Sequence, residues 1–146
     1  MATVYIGSDH AGIGLRKLLA EKLTDQGHCV KTFGPEPGES CDYPVSARAV
    51  CDNVLNDSGS FGILICGTGI GMSMAANRMP GIRAALCSCE FQARACRQHN
   101  NANVLCLGER VTGPGVALAM AELFLASEFE GGRHLRRVQM FDNGVN

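Results

Sequence analysis

The chain has 146 residues, of which 46% are hydrophobic and 18% charged, with a formal net charge of −1. These proportions suit one domain with its own core and exclude intrinsic disorder. They also exclude broad electrostatic capture of nucleic acid or of an anionic membrane, and no run of eighteen apolar residues offers a membrane span.

Strand and helix patterns alternate along the chain. Thr3 to Gly7 is a short β-rich run. Ile13, Leu15, Leu18, Leu19 and Leu23 follow at helical spacing, and Gly27 stops that helix. Cys29 to Phe33 reads as a second strand, and Gly34-Pro-Glu-Pro-Gly38 as a turn-rich loop. Val45 to Leu55 is helical. Phe61 to Ile65 is a continuous apolar strand of the kind buried on both faces. A glycine loop, a helix over Met72 to Asn77 and a strand over Arg83 to Leu86 come next. Then follow a helix from Glu90 to Gln98, a strand from Asn103 to Leu107 and a helix from Pro114 to Ala126. Arg133 to Arg137 opens a last helix.

Alternating strands and helices imply a parallel sheet covered on both faces. The expected architecture is a Rossmann-like three-layer αβα sandwich with a five-stranded parallel sheet, one domain over residues 1–146. In such sheets ligands bind beyond the carboxyl ends of the strands. Residues just after a strand therefore reach one edge, and residues between a helix and the next strand lie at the other.

The eight cysteines are Cys29, Cys41, Cys51, Cys66, Cys87, Cys89, Cys96 and Cys106, with no C-x-x-C pair among them. A chain with this much core needs no disulfide framework, so most read as small apolar fillers in a reducing compartment. The start of the chain, Met1 to His10, lacks the basic-then-apolar layout of a signal peptide. Both points suggest the cytoplasm.

Gly67-Thr68-Gly69-Ile70-Gly71 follows an apolar strand and opens a helix. Glycines permit a tight turn with amides facing one way, and a helix N-terminus favours negative charge. Such a loop suits a phosphate or a developing oxyanion. It lacks the third glycine of a dinucleotide fingerprint and the Gly-Lys-Ser/Thr of a P-loop. The alternative is a tight strand–helix turn with no ligand. Cys66, at the mouth of the loop, is either a reactive thiol or a strand-end filler. Asp9 and His10 share this edge, as a functional pair or as a helix cap beside an exposed imidazole. Arg110 follows the fifth strand and could join the anion site. Arg133-His134-Leu135-Arg136-Arg137 holds three arginines in five residues, either a phosphate clamp or a solvated basic face. His99 and Asn100 precede the fifth strand, at the wrong edge for Cys66 of the same chain.

Together these residues resemble the ribose-5-phosphate isomerase B family, which includes allose- and galactose-6-phosphate isomerases. The resemblance spans nearly the whole chain. It is carried by Gly7-Ser-Asp9-His10, Asp42-Tyr43-Pro44, Ile65-Cys66-Gly-Thr68-Gly-Ile-Gly71 and Ala75-Ala-Asn77. Gly81-Ile-Arg83-Ala84, Arg97-Gln-His99-Asn100, Asn103-Val104, Gly108-Glu-Arg110 and Glu130-Gly-Gly-Arg133-His134 continue it.

The resemblance implies interconversion of ribose 5-phosphate and ribulose 5-phosphate, with no metal and no cofactor. Cys66 matches the base that moves a proton between C1 and C2, and the amides of Gly67 to Gly71 match the cradle of the cis-enediolate. His99, helped by Thr68, matches the ring-opening group. His10, Arg110, Arg133 and Arg137 match phosphate-binding positions, and Asp9, Tyr43 and Asn100 match residues that hold the sugar. A branch of the family uses a glutamate in the following helix instead of the cysteine; position 75 here is alanine, so the chain fits the cysteine branch. If His99 is catalytic it must serve a neighbouring subunit. The expected assembly is therefore a homodimer or a tetramer with shared sites, the helix from about residue 133 packing on the partner. A hexose-6-phosphate isomerase and a non-catalytic sugar-phosphate binder are the alternatives. A binder has no need of Cys66 and His99 together.

Overall fold

The computed structural model describes residues 1–143, so the last three positions of the expected domain lie outside the described residues. Eleven elements alternate: β1 (Thr3–Ser8), α1 (Ile13–Asp25), β2 (Cys29–Phe33), α2 (Tyr43–Asn56), β3 (Phe61–Cys66), α3 (Ile70–Ala76), β4 (Ala84–Leu86), α4 (Glu90–Asn100), β5 (Val104–Gly108), α5 (Pro114–Ala126) and α6 (Arg133–Asn143). The strands form one five-stranded sheet in the order β2-β1-β3-β5-β4, and every pairing is parallel. This is the αβα sandwich that the alternation predicts.

Side-chain period two sorts the core into two layers. Val4, Ile6, Ile63, Ile65, Leu105 and Leu107 face α1, α4 and α5, where they meet Leu19, Leu23, Met120 and Phe124. Tyr5, Leu64, Cys66 and Cys106 point the other way, onto Val50, Cys51, Met72 and Ala76 of α2 and α3. Both faces of β3 are covered, which explains its unbroken apolar sequence. Each large side chain so buried contributes about 1.5–3 kcal/mol.

Burial supports the filler reading for most of the cysteines, though not for all. Cys51, Cys66, Cys87, Cys96 and Cys106 are buried, but Cys29 and Cys89 are exposed and Cys41 is half-buried. Burial pushes the Cys51 thiol up to about 12 and the Cys106 thiol well above its ordinary range, which keeps both protonated and inert.

The sheet order has a switch point. β1 leads by α1 to β2 on one side, while β3 lies on the other. Connections that part in this way leave a crevice at the carboxyl ends of β1 and β3. Ser8-Asp9-His10 and Cys66-Gly67 emerge there.

Candidate active site

Cys66 is the last residue of β3 and is 5% exposed. The chain then folds back over the strand end, so that the Gly69 N–H donates to Cys66 Sγ at 3.1 Å. That reversal needs two glycines. Gly69 has φ 77°, in the left-handed region, and an added Cβ would lie 2.6 Å from Leu86 Cδ1 and 2.9 Å from the Leu107 carbonyl carbon. Gly108 pairs with Cys66 across the β3–β5 ladder, and a Cβ there would lie 2.6 Å from the Thr68 carbonyl carbon. α3 begins at Ile70, whose N–H donates to Thr68 Oγ1 at 3.3 Å. The first amides of a helix have no intrahelical acceptor and suit an anion.

The other side of the crevice comes from β1. The Asp9 N–H donates to the Ile65 carbonyl at 3.2 Å, which ties the two strand ends together. Asp9 Oδ1 accepts from the Ala11 N–H at 2.9 Å and caps a short 3-10 turn over His10–Gly12. His10 is exposed, and its Nδ1 accepts from the Cys41 N–H at 3.4 Å. The Tyr43 ring, in the first turn of α2, lies over Gly71; a Cβ on Gly71 would sit 2.8 Å from Tyr43 Cζ. On the β5 side, the Glu109 N–H donates to the Cys66 carbonyl at 2.9 Å and the Arg110 N–H to the Gly67 carbonyl at 3.0 Å. The Arg110 guanidinium lies beside Gly67, 3.4 Å from where a Cβ would stand. Asp9, His10, Tyr43, Cys66, Gly67, Thr68, Gly69, Ile70, Gly71 and Arg110 therefore gather at one end of the sheet.

His99, Asn100, Arg133 and Arg137 do not join them within one chain. α4 runs to Asn100, two residues beyond the helix end expected from the sequence, so His99 and Asn100 occupy its last turn at the amino edge of β5. From Gly62↔Val104 to Cys66↔Gly108 the ladder advances four residues, roughly 13 Å at the parallel-strand rise. α4 also covers the sheet face opposite the one that carries Cys66.

This second cluster has its own scaffold. Asn101 ends α4 at φ 48°, a left-handed turn that asparagine tolerates. Arg97 is buried; its Nη1 donates to Asn101 Oδ1 at 2.9 Å and to the Ala102 carbonyl at 2.6 Å, and its guanidinium stacks 4.9 Å from the Phe61 ring. The Glu130 N–H donates to the Gln98 carbonyl at 3.0 Å and brings the start of α6 against the end of α4. His99, Asn100, His134, Arg137, Met140 and Phe141 line an open cavity of about 480 Å³.

The sequence profile of the Ribose/Galactose Isomerase family matches residues 4–141. The chain belongs to that family. It is 41% identical over 139 residues to ribose-5-phosphate isomerase B of Escherichia coli, covering 95% of this chain and 93% of that one. It is 39% identical over 140 residues to D-erythrulose-4-phosphate isomerase of Pectobacterium atrosepticum, covering 95% and 92%. Among solved structures, a ribose 5-phosphate isomerase of Thermotoga maritima superposes with a TM-score of 0.95 at 44% identity, covering 98% of this chain and 99% of that one.

Sequence reasoning missed several supports of this isomerase fold. Glu109 Oε2 accepts the Leu15 N–H at 3.1 Å and caps the start of α1, a contact 94 residues apart in sequence. The buried Arg97 leaves no trace in a helical pattern that reads as polar. His134 was grouped with a basic run, yet it is 8% exposed and stacks on His99. Burial, and next the neighbouring His99, hold its imidazole below the usual histidine range. The i,i+4 spacing of Glu130 and His134 was the available signal.

Proposed function

We propose that this isomerase interconverts D-ribose 5-phosphate and D-ribulose 5-phosphate through a cis-enediolate. The observation that carries the reading is Cys66, buried at the β1/β3 crevice beneath a glycine turn whose amide meets its sulfur. Moving a proton next to a carbonyl needs a placed base and donors for the oxygen that becomes negative. Cys66 takes the C2 proton of the open aldose and returns it to C1. The amides of Gly67 to Gly71 receive the enediolate charge. His10 and Arg110 hold the phosphate; Asp9 and Tyr43 hold the sugar hydroxyls. These steps are proton transfers within reach of side chains, and no metal or cofactor enters the scheme.

Ring opening requires a second acid–base group, and His99 of a second copy, aided by Thr68, supplies it. The same copy brings Asn100, Arg133 and Arg137. The active assembly is thus at least a homodimer, consistent with exposed Tyr43, Val45, Ile70 and Met74 on the α2/α3 face. Among the described residues no helix is long and apolar enough to cross a membrane. Eight free cysteines favour the reducing cytoplasm.

A coupled assay with ribose 5-phosphate tests the reading. Cys66→Ala abolishes turnover, by about 10²–10⁴-fold for loss of an acid–base group. Mixing Cys66→Ala with His99→Asn chains restores part of the activity, because one hybrid site then holds both native groups. No recovery despite verified subunit exchange would sink the shared-site arrangement. The tetrose-phosphate relative makes chain length a live question, and kcat/KM for tetrose, pentose and hexose phosphates answers it.

A further inference from the structure

His134 and Glu130 have no part in the scheme above, yet they adjoin its ring-opening group. The His134 and His99 rings lie 4.5 Å apart between centroids with 15° between their planes. His134 Nε2 is 3.7 Å from Glu130 Oε2. His99 sits in the last turn of α4 and His134 in the first turn of α6, so the stack spans the junction between two helices.

The three side chains offer ligand atoms within 4.8 Å of one another. They do not make a metal centre. An imidazole binds a metal in its ring plane, and two nearly parallel stacked planes do not meet at a common point. Arg133 and Arg137 beside His134 further oppose a cation there.

What the stack does instead is restrict His99. A ring in the last helical turn turns freely about χ2 unless a neighbour fixes its plane. His134 is anchored, since it is buried, and the Glu130 N–H ties its loop to the Gln98 carbonyl. A flat partner on one face fixes the plane of the His99 ring, and with it the in-plane directions of both nitrogens, in a residue that borders the open cavity. An acid–base group gains most when its nitrogen already points at the oxygen it protonates.

Resting on the isomerase reading, we propose that His134 is a positioning residue for ring opening: its buried ring stacks on His99 and fixes the plane in which His99 exchanges a proton with the sugar ring oxygen. A His99 nitrogen gives its proton to the ring oxygen as the bond from C1 to that oxygen breaks, and water takes the proton of the C1 hydroxyl to leave the aldehyde. His134 takes no part in that balance.

The test uses the intact protein and five chains: wild type, His134→Ala, His134→Phe, His99→Asn and His99→Asn/His134→Ala. With ribose 5-phosphate, His134→Ala lowers kcat by about tenfold to a hundredfold, the range for a displaced catalytic group. His134→Phe, which keeps a flat ring, recovers most of that loss. Affinity for ribitol 5-phosphate, an open-chain alditol that needs no ring opening, stays within about twofold of wild type in both, because the phosphate- and hydroxyl-binding groups are themselves unchanged. In the His99→Asn background the second change costs nothing further, since residues that act as a unit are not additive.

Three results would overturn the proposal in an active wild type. These are an unchanged kcat in His134→Ala, a loss of ribitol 5-phosphate affinity that matches the loss of kcat, or an added cost in the His99→Asn background. A wild type inert toward ribose 5-phosphate would instead sink the functional reading beneath it, so the two failures are told apart.

Discussion

The two halves of the proposed shared site are built by different means. The Cys66 half is a backbone construction: a strand end, a glycine turn and a ladder register decide where every amide lies. The His99 half is a side-chain construction, in which a buried arginine and a left-handed asparagine fix the end of α4 and a stacked imidazole joins it to α6. The first should tolerate no Cβ added at Gly69 or Gly108. The second should tolerate changes of volume and respond to the loss of a particular plane or charge.

Gly108→Ala tests the first half most severely. Its Cβ would meet Thr68 backbone at 2.6–2.8 Å, and backbone cannot rotate aside as a flexible side chain does. The overpacking costs about 1–3 kcal/mol of stability. Displacing the Gly67–Gly71 amides by about 1 Å lowers kcat on the order of 10²-fold. Gly115→Ala is the control, because its Cβ meets nothing within 4 Å and it lies in the first turn of α5. It leaves kcat unchanged and, if anything, raises the melting temperature. Equal effects from the two substitutions would break the comparison.

Arg137→Ala probes the second half with a smaller effect. Arg137 lines the open cavity and is exposed, so the fold survives its loss. If Arg137 holds the phosphate as proposed, its loss removes one charge-assisted contact of about 1.5–3 kcal/mol and raises KM for ribose 5-phosphate by roughly tenfold or more. Most of the change is in KM, and Arg137→Lys recovers only part because a point charge replaces a fork. Steady-state kinetics on the two variants measures the split. A fall in kcat with KM unchanged would mean that Arg137 does not hold substrate in the ground state.

The same difference explains what the sequence disclosed. β3 was legible because burial on both faces writes an unbroken apolar run, and the glycine turn because it follows that run directly. The edge that each candidate occupies followed from strand–helix order alone. Boundaries were less legible. α2 starts at Tyr43, before Pro44, because proline is accepted in a first turn. α4 continues to Asn100 because its stop is Asn101 rather than a glycine. The need for glycine at 108 depends on which residue of β5 pairs with Cys66, and register is not written locally. Glu109 capping α1 and His134 stacking on His99 join segments that only the packed sheet brings together. Backbone devices left sequence signals; contacts between helix ends left almost none.

The smallest effect concerns the pH dependence of folding, and it isolates the side-chain half. His134 titrates below the usual imidazole range in the folded chain, chiefly because burial disfavours its charged form, with His99 next and Arg133 and Arg137 adding to it, while Glu130 opposes them. Unfolded, the same ring takes a proton near pH 6.5. Below that pH the unfolded state binds more protons at this position than the folded one, so stability falls as pH falls. The contribution is full above about pH 6.5, declines through the interval between the unfolded and folded values, and levels off below it. His134→Phe cannot titrate, and its melting temperature should fall less than that of wild type between pH 7 and pH 5. Parallel melting curves for the two chains over that range would mean that His134 is as free to charge when folded as when unfolded. The stack on His99 would then be loose enough to admit water, and the side-chain half of the site would not be preorganised.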